Sequence, residues 1–285
     1  MKVLVTGVSG QLGYDVIKAL DAKGIDYIGC GPDDFDLRNE EATLSYLKNH
    51  HPDVVIHCAA YTAVDKAEDE KDICMDVNAK GTEYIAKACQ ALDAKLVFIS
   101  TDYVFDGNKE TPYEVNDERK PINTYGLSKQ MAEDIVSKVK KHFIVRTSWV
   151  YGINGHNFVK TMIRLGIEKE IVSVVSDQVG SPTYTPDLAN FLVSLIETEK
   201  YGIYHATNEG YCSWFDFASQ IMKEANLNCV VKPIYSQDYP TKARRPQNSR
   251  LSKKKLVDEG FNQLPSWQDA LKRYFLELNK KEESR

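Results

Sequence analysis

Short apolar runs punctuate the first half of the chain, and each is followed by a longer stretch with helical spacing. Val3–Thr6, Tyr27–Cys30, Val54–His57, Leu96–Ser100 and Phe143–Arg146 read as strands. The stretches at about 12–23, 39–49, 71–93 and 126–140 read as helices. Strands that are apolar along their whole length are buried on both faces. Alternating with helices, they imply a parallel sheet covered on both sides. The expected fold class is α/β, a doubly wound parallel sheet of the Rossmann type.

Near residue 150 the regular alternation stops. Helices are predicted at 156–168, 186–198, 214–226 and 266–279, with short strands at Val172–Val175, Gly202–Ala206 and Val230–Pro233. This suggests a dinucleotide-binding domain over 1–150 and a smaller, mainly substrate-binding α/β domain over 151–285. No Gly/Ser-rich linker separates them, so the second is expected to pack directly on the first, with some segments returning to it. The tail Lys280–Arg285 is charged and is expected to fray.

Composition narrows the class without naming it. The 285 residues are 42% hydrophobic and 27% charged, enough for one large core or two modest ones. A net charge of −5 argues against wholesale nucleic-acid binding. The runs Lys138-Val139-Lys140-Lys141 and Lys253-Lys254-Lys255 read as solvated helix faces. Six cysteines form no C-x-x-C pair and no His cluster accompanies them, which argues against a zinc site. No apolar run approaches the ~18 residues of a membrane span. The first strand starts at Lys2 with no signal-like segment before it. Reduced cysteines and a cytoplasmic location are expected, with no membrane partner.

The chemistry starts with Gly7-Val8-Ser9-Gly10-Gln11-Leu12-Gly13. Glycines between a strand and a helix allow a tight turn and the close approach of a pyrophosphate to the helix N-terminus. Gly7, Gly10, Gln11, Leu12 and Gly13 are therefore candidate cofactor residues. The spacing G-x-x-G-x-x-G is that of extended short-chain reductases. Neither an acidic residue nor an Arg ends the second strand, where it would discriminate the adenosine ribose. Asp36 and Leu37 are the expected neighbours of the adenine, and the choice between NADPH and NADH stays open, with NADPH favoured. Ala59 and Ala60, after the third strand, would let backbone lie beside the cofactor, with Tyr61 at the rim and Ile99 on the fourth strand. His57 lies in an apolar strand and reads as a packed residue. Asn78 is a candidate for ordering the active-site lysine.

Tyr125 and Lys129 stand four residues apart on a predicted helix, so they share one face. An ammonium there can favour a phenolate whose reference pKa near ~10 is otherwise too high for proton transfer. Together with the Gly loop, the pair indicates a nicotinamide-dependent oxidoreductase. Ser100, Thr101 and Asp102 fall at the carboxyl end of the fourth strand, where ligands bind in open α/β sheets. A hydroxyl there can steady a carbonyl oxygen as it gains charge.

Four strings carry a resemblance that covers most of the chain. They are Ser100-Thr101-Asp102-Tyr103-Val104-Phe105-Asp106-Gly107, Tyr125-Gly126-x-x-Lys129, Arg146-Thr147-Ser148-Trp149-Val150-Tyr151-Gly152 and Gly180-Ser181-Pro182-Thr183. They resemble the dTDP-4-dehydrorhamnose reductase family of the extended short-chain dehydrogenase/reductase superfamily. The resemblance implies NAD(P)H-dependent reduction of the C4 ketone of dTDP-4-dehydro-L-rhamnose to dTDP-L-rhamnose. It implies Tyr125 as proton donor and Lys129 as the residue that lowers its pKa and holds the nicotinamide ribose. Thr101 would steady the reacting oxygen, with Asp102 beside it and Trp149 against the sugar.

A substrate diphosphate needs local positive charge, and Arg245, with Arg244 beside it, is the candidate. Some family members are magnesium-bridged homodimers that use carboxylates near the first helix and near the Gly-Ser-Pro-Thr loop. Asp15 matches the first, but Pro186 follows Thr183-Tyr184-Thr185 and cannot ligate through its side chain, which argues against the metal bridge. Two other functions fit the fold: another nucleotide-sugar reductase or epimerase, and a non-catalytic NADP-binding regulatory subunit. Intact Thr101, Tyr125 and Lys129 argue against the second.

Overall fold

A computed structural model describes residues 1–283. Its first half runs β1 (Lys2–Thr6), α1 (Gln11–Ala22), β2 (Asp26–Cys30), α2 (Glu40–His50), β3 (Val54–His57), α3 (Lys71–Met75), α4 (Gly81–Ala91), β4 (Lys95–Thr101), α5 (Thr124–Val136) and β5 (His142–Thr147). These five strands and Gly202–His205 form one parallel sheet, ordered Gly202–His205, β5, β4, β3, β1, β2. This is the doubly wound α/β fold that the apolar strands predict. Register then decides what shares the carboxyl edge: Thr6 pairs with His57, and Thr101 with Thr147.

The later helices are α6 (Phe158–Glu168), α7 (Thr185–Ile196), α8 (Trp214–Glu224), the short α9 (Lys254–Asp258) and α10 (Trp267–Glu283). On one face of the sheet, Val3, Val5 and Val97 pack against α1 and against Leu188, Leu192 and Leu195 of α7. On the other, Leu4, Val55 and Phe98 meet Ile85, Cys89, Ala132 and Val136 of α4 and α5. A third core gathers Tyr151, Phe217, Ile221, Leu271 and Tyr274 from α8, α10 and the turn after β5. Ile171–Val175 and Val230–Ile234 form a separate parallel pair beside it. So α7 and Gly202–His205, although late in the chain, complete the first sheet.

Several elements differ from the sequence pattern. The single helix expected at 71–93 is broken by a π-helical stretch, Asp76–Lys80, between α3 and α4. One extra residue per turn leaves the apolar period almost unchanged, so the pattern does not reveal it. Helix α5 begins at Thr124, two residues early, because Asn123 and Glu68 cap it, and it ends at Val136. Helix α10 runs to Glu283 and so takes in the first residues of the charged tail. Ser284 and Arg285 lie outside the described residues. No helix among the described residues is long and apolar enough to cross a membrane. All six cysteines are free.

Candidate active site

The carboxyl edge of the sheet opens into a cavity of about 400 Å³ on the β2 side and a larger one of about 930 Å³ over β4 and β5. Gly7, Pro32, Ala59 and Ala60 line both, so the two join across the Gly loop. Gly7 turns the chain at φ +71°, and a Cβ there would lie 2.7 Å from the Ala59 nitrogen. Helix α1 has Gly10 as its N-cap, which supplies no side-chain acceptor for the first-turn N–H groups. Those donors and the helix dipole fit an anion. Gln11, Leu12 and Gly13 complete the rim. The Gln11 side chain serves a different end: its Oε1 accepts from Gly152 N–H at 3.1 Å and Asn157 Nδ2 at 3.0 Å. Asn154 Nδ2 donates back to the Ser9 and Gly10 carbonyls, so residues 152–157 are latched to the loop.

Asp36 and Leu37 line the smaller cavity, as their position after β2 suggests. So does Arg38, which the sequence reading passed over. Its backbone N–H and Nε donate to Asp36 Oδ1 at 2.9 and 3.0 Å, and Nη2 donates to Oδ2 at 2.9 Å. The Arg38 bonds hold the Asp36 carboxyl below its ordinary pKa. Tyr61 lines neither cavity: its hydroxyl donates to Glu70 at 2.6 Å.

Tyr125 and Lys129 both line the larger cavity from α5, with Ile99, Thr101 and Asp102 contributed from β4 and the turn that follows. The start of α5 is tied down on three sides. Asn123 Oδ1 accepts from Gly126 N–H at 2.7 Å, and Glu68 accepts from the Thr124 N–H and hydroxyl. Asn78, on the π-helical stretch, donates to Ser128 Oγ at 2.9 Å, and Ser128 donates to the Tyr125 carbonyl at 2.7 Å. Asn78 therefore braces the turn between tyrosine and lysine without bonding Lys129 itself.

Burial raises the pKa of the Tyr125 phenol above its ordinary value, helped by the charge of Asp102 and partly opposed by the Thr101 hydroxyl. The phenol is thus fully protonated at neutral pH. Lys129 is buried, lies 4.0 Å from the Phe98 ring centroid, and finds no hydrogen-bond acceptor among the described residues. Burial lowers its pKa to about 7, against the opposing charge of Glu133 one turn on. Asp102 is also buried. Its Oδ1 accepts from Thr101 at 2.9 Å, and burial pushes its pKa to about 6. His57 is the packed residue that its apolar strand suggests. Its ring bonds Thr6 and Thr82, and burial holds it neutral, with its pKa down to about 3.

An aromatic wall closes the far side. Trp149, at φ +48°, stacks on Trp214 with centroids 3.7 Å apart, and Phe158 packs against Trp214 at 4.5 Å. Only Trp149 was legible in the sequence, because Trp214 arrives on α8. Arg245 also lines the cavity, but its fork is held by both oxygens of Asp65 at 2.9 and 2.8 Å. Arg244 is exposed and does not line it. Asp15 is buried behind α7, where Thr185 Oγ1 donates to it at 2.5 Å.

The model for the family described as RmlD substrate binding domain matches residues 1–280. A dTDP-4-dehydrorhamnose reductase of Aggregatibacter actinomycetemcomitans is 41% identical over 95% of this chain and 97% of its own. The spore coat polysaccharide biosynthesis protein SpsK of Bacillus subtilis is 39% identical over 97% of each chain. The crystal structure of a dTDP-4-dehydrorhamnose reductase from Bacillus anthracis in complex with NADP is 44% identical. It superposes with a TM-score of 0.94 over 97% of this chain and 99% of that one.

Proposed function

The chain belongs to the RmlD substrate binding domain family, and from that premise we propose that it is an NAD(P)H-dependent dTDP-4-dehydrorhamnose reductase. The reaction is reduction of the C4 ketone of dTDP-4-dehydro-L-rhamnose to dTDP-L-rhamnose. One observation carries this reading. Thr101, Tyr125 and Lys129 line one cavity that runs without interruption into the uncapped N-terminus of α1.

The Gly loop, Ala59 and Ala60 would hold the dinucleotide, whose nicotinamide supplies the hydride when bound. The chain's own residues handle the proton. Tyr125, kept protonated by burial, is the donor to the ketone oxygen as that oxygen becomes an alkoxide. Thr101 offers a hydroxyl to the same oxygen. Loss of the proton leaves a phenolate in a buried site, and the Lys129 ammonium one turn away stabilises it. The lysine thus acts on the product of proton transfer, while the protonated phenol is set by burial. Trp149 and Trp214 present flat apolar faces suited to a deoxysugar.

The deciding experiment follows cofactor oxidation with dTDP-4-dehydrorhamnose, using NADPH and NADH in turn. UDP- and GDP-linked ketosugars serve as competitors. Oxidation only with the UDP or GDP sugars would move the assignment to another nucleotide-sugar reductase. Tight NADPH binding with no turnover of any ketosugar would point to a regulatory subunit.

A further inference from the structure

Glu133 is a buried carboxylate that the proton transfer itself does not use. It lies one turn beyond Lys129 on α5 and reaches both strands packed against that helix. Its Oε1 accepts from Ser100 Oγ on β4 at 2.5 Å and from Arg146 Nε on β5 at 2.8 Å. Its Oε2 accepts from Arg146 Nη2 at 2.7 Å and from Arg119 Nη1 at 3.2 Å. Ser100 and Arg146 are partners in the sheet register, one residue before Thr101 and Thr147. Arg146 is buried as well, and its Nη1 donates to the Val115 carbonyl at 3.0 Å and to His205 Nε2 at 3.3 Å.

A buried ion pair is a poor device for stability alone, because apolar side chains of the same volume would pack as well without the desolvation. What they would not supply is a negative charge beside Lys129. The other titratable groups around that lysine are neutral. Tyr125 shares its face of α5, Cys74 faces it from α3, and His57 and Cys58 face it from the end of β3. Burial keeps the phenol and both thiols protonated and the imidazole unprotonated. Asp102, after β4, acts on the Tyr125 phenol. The charge that favours the Lys129 ammonium comes from Glu133, on the lysine's own helix.

We propose that Glu133 is a positioning residue for the reduction: clamped by Arg146 and Ser100, it supplies the fixed negative charge that holds Lys129 as an ammonium. The same clamp ties the end of β4 that carries Thr101 to the helix that carries Tyr125. The role in turnover rests on the reductase reading, whereas the coupling between Glu133 and Lys129 does not.

Two pH profiles test this, one with turnover and one without. Lys129 must carry its proton to stabilise the phenolate, so kcat falls as pH rises through the lysine's titration. In Glu133→Gln that fall should move down by about one pH unit or more, because a unit charge one helical turn away is lost. On the acid side of the fall kcat should return towards wild type, whereas a merely structural role would lower it equally at every pH. Without turnover, the stability gained on Lys129→Met is followed against pH in the wild-type and Glu133→Gln backgrounds. The gain is complete below the folded pKa of the lysine and fades above it. In the Glu133→Gln background the fading should start lower by the same interval. Glu133→Gln leaves a buried guanidinium unpaired, which costs stability, so Glu133→Gln/Arg146→Gln is measured beside it. There neither charge is left alone, and the shift should keep its direction but shrink, because the repulsion from Arg146 goes too. Profiles that stay at the wild-type pH in both variants would overturn the proposal. A shifted stability profile in a protein that reduces no ketosugar would overturn the reductase reading and leave the charge coupling standing.

Discussion

Arg245 gives both arms of its guanidinium to Asp65, at 2.9 and 2.8 Å, on the wall of the larger cavity. The cation expected to meet a substrate diphosphate is thus already partnered. If Arg245 receives the substrate, Asp65 would compete for it, and KM reads that competition. Asp65→Asn should lower KM for the dTDP-sugar by about 3-fold or more, since it weakens a charge-assisted pair. Arg245→Ala should raise KM while NADPH affinity stays constant. A wild-type KM in both variants would remove this arginine from the substrate site.

For proton donation, Tyr125→Phe is the direct test. It keeps the ring, which packs edge-on against Tyr103 at 5.8 Å, and removes only the hydroxyl. We expect kcat to fall by about 10²–10⁴-fold, the usual contribution of a positioned acid. The dissociation constant for NADPH should barely move. A variant that keeps more than about a tenth of wild-type kcat, with chemistry rate-limiting, would rule Tyr125 out as donor.

Lys129 gives a stability signature that no surface lysine would. Its pKa in the folded protein is about 7, against an ordinary 10.5. Below the folded value the fold must bury an ammonium that the unfolded chain leaves in water, so the destabilisation is complete there. It fades as pH rises from about 7 towards 10.5 and vanishes above, where both states are neutral. Lys129→Met should therefore be more stable than wild type by roughly 2–4 kcal/mol near pH 6, with the gap closing by about pH 10. Its activity should collapse and its cofactor affinity should fall. Denaturation curves at the two pH values check the first claim, and an unchanged gap would place the ammonium in solvent.

The loop glycines should separate into two kinds. Gly7 sits at φ +71° against the Ala59 backbone, so Gly7→Ala should cost about 2 kcal/mol or more in stability. Gly10 has ordinary extended dihedrals, and its nearest obstacle is the Gly7 carbonyl at 3.1 Å. Gly10→Val should unfold at nearly the wild-type denaturant concentration yet bind NADPH more weakly, because the side chain crowds the N-terminus of α1. Thermal or denaturant melts paired with calorimetry distinguish the two. Equal NADPH affinity in well-folded Gly10→Val would make the loop a turn and nothing more.

The sheet and the placement of Tyr125 and Lys129 on one cavity were legible because their signals are local. An apolar strand announces burial within a few residues, the Gly spacing follows directly after β1, and Tyr125 and Lys129 are linked by the helical repeat itself. The same locality explains where the reading stopped. Trp214 stacks on Trp149 from a helix far along the chain, and Asp65 reaches Arg245 across 180 residues. Arg38 lay in plain view, but only the fold of the loop after β2 turns it into the smaller cavity. Gly202–His205 has the composition of a strand in either half, and packing beside β5 made it part of the main sheet. Periodicity states that a face will be buried. Which distant residue buries it depends on how whole elements pack, a sum over contacts that no short window of sequence contains.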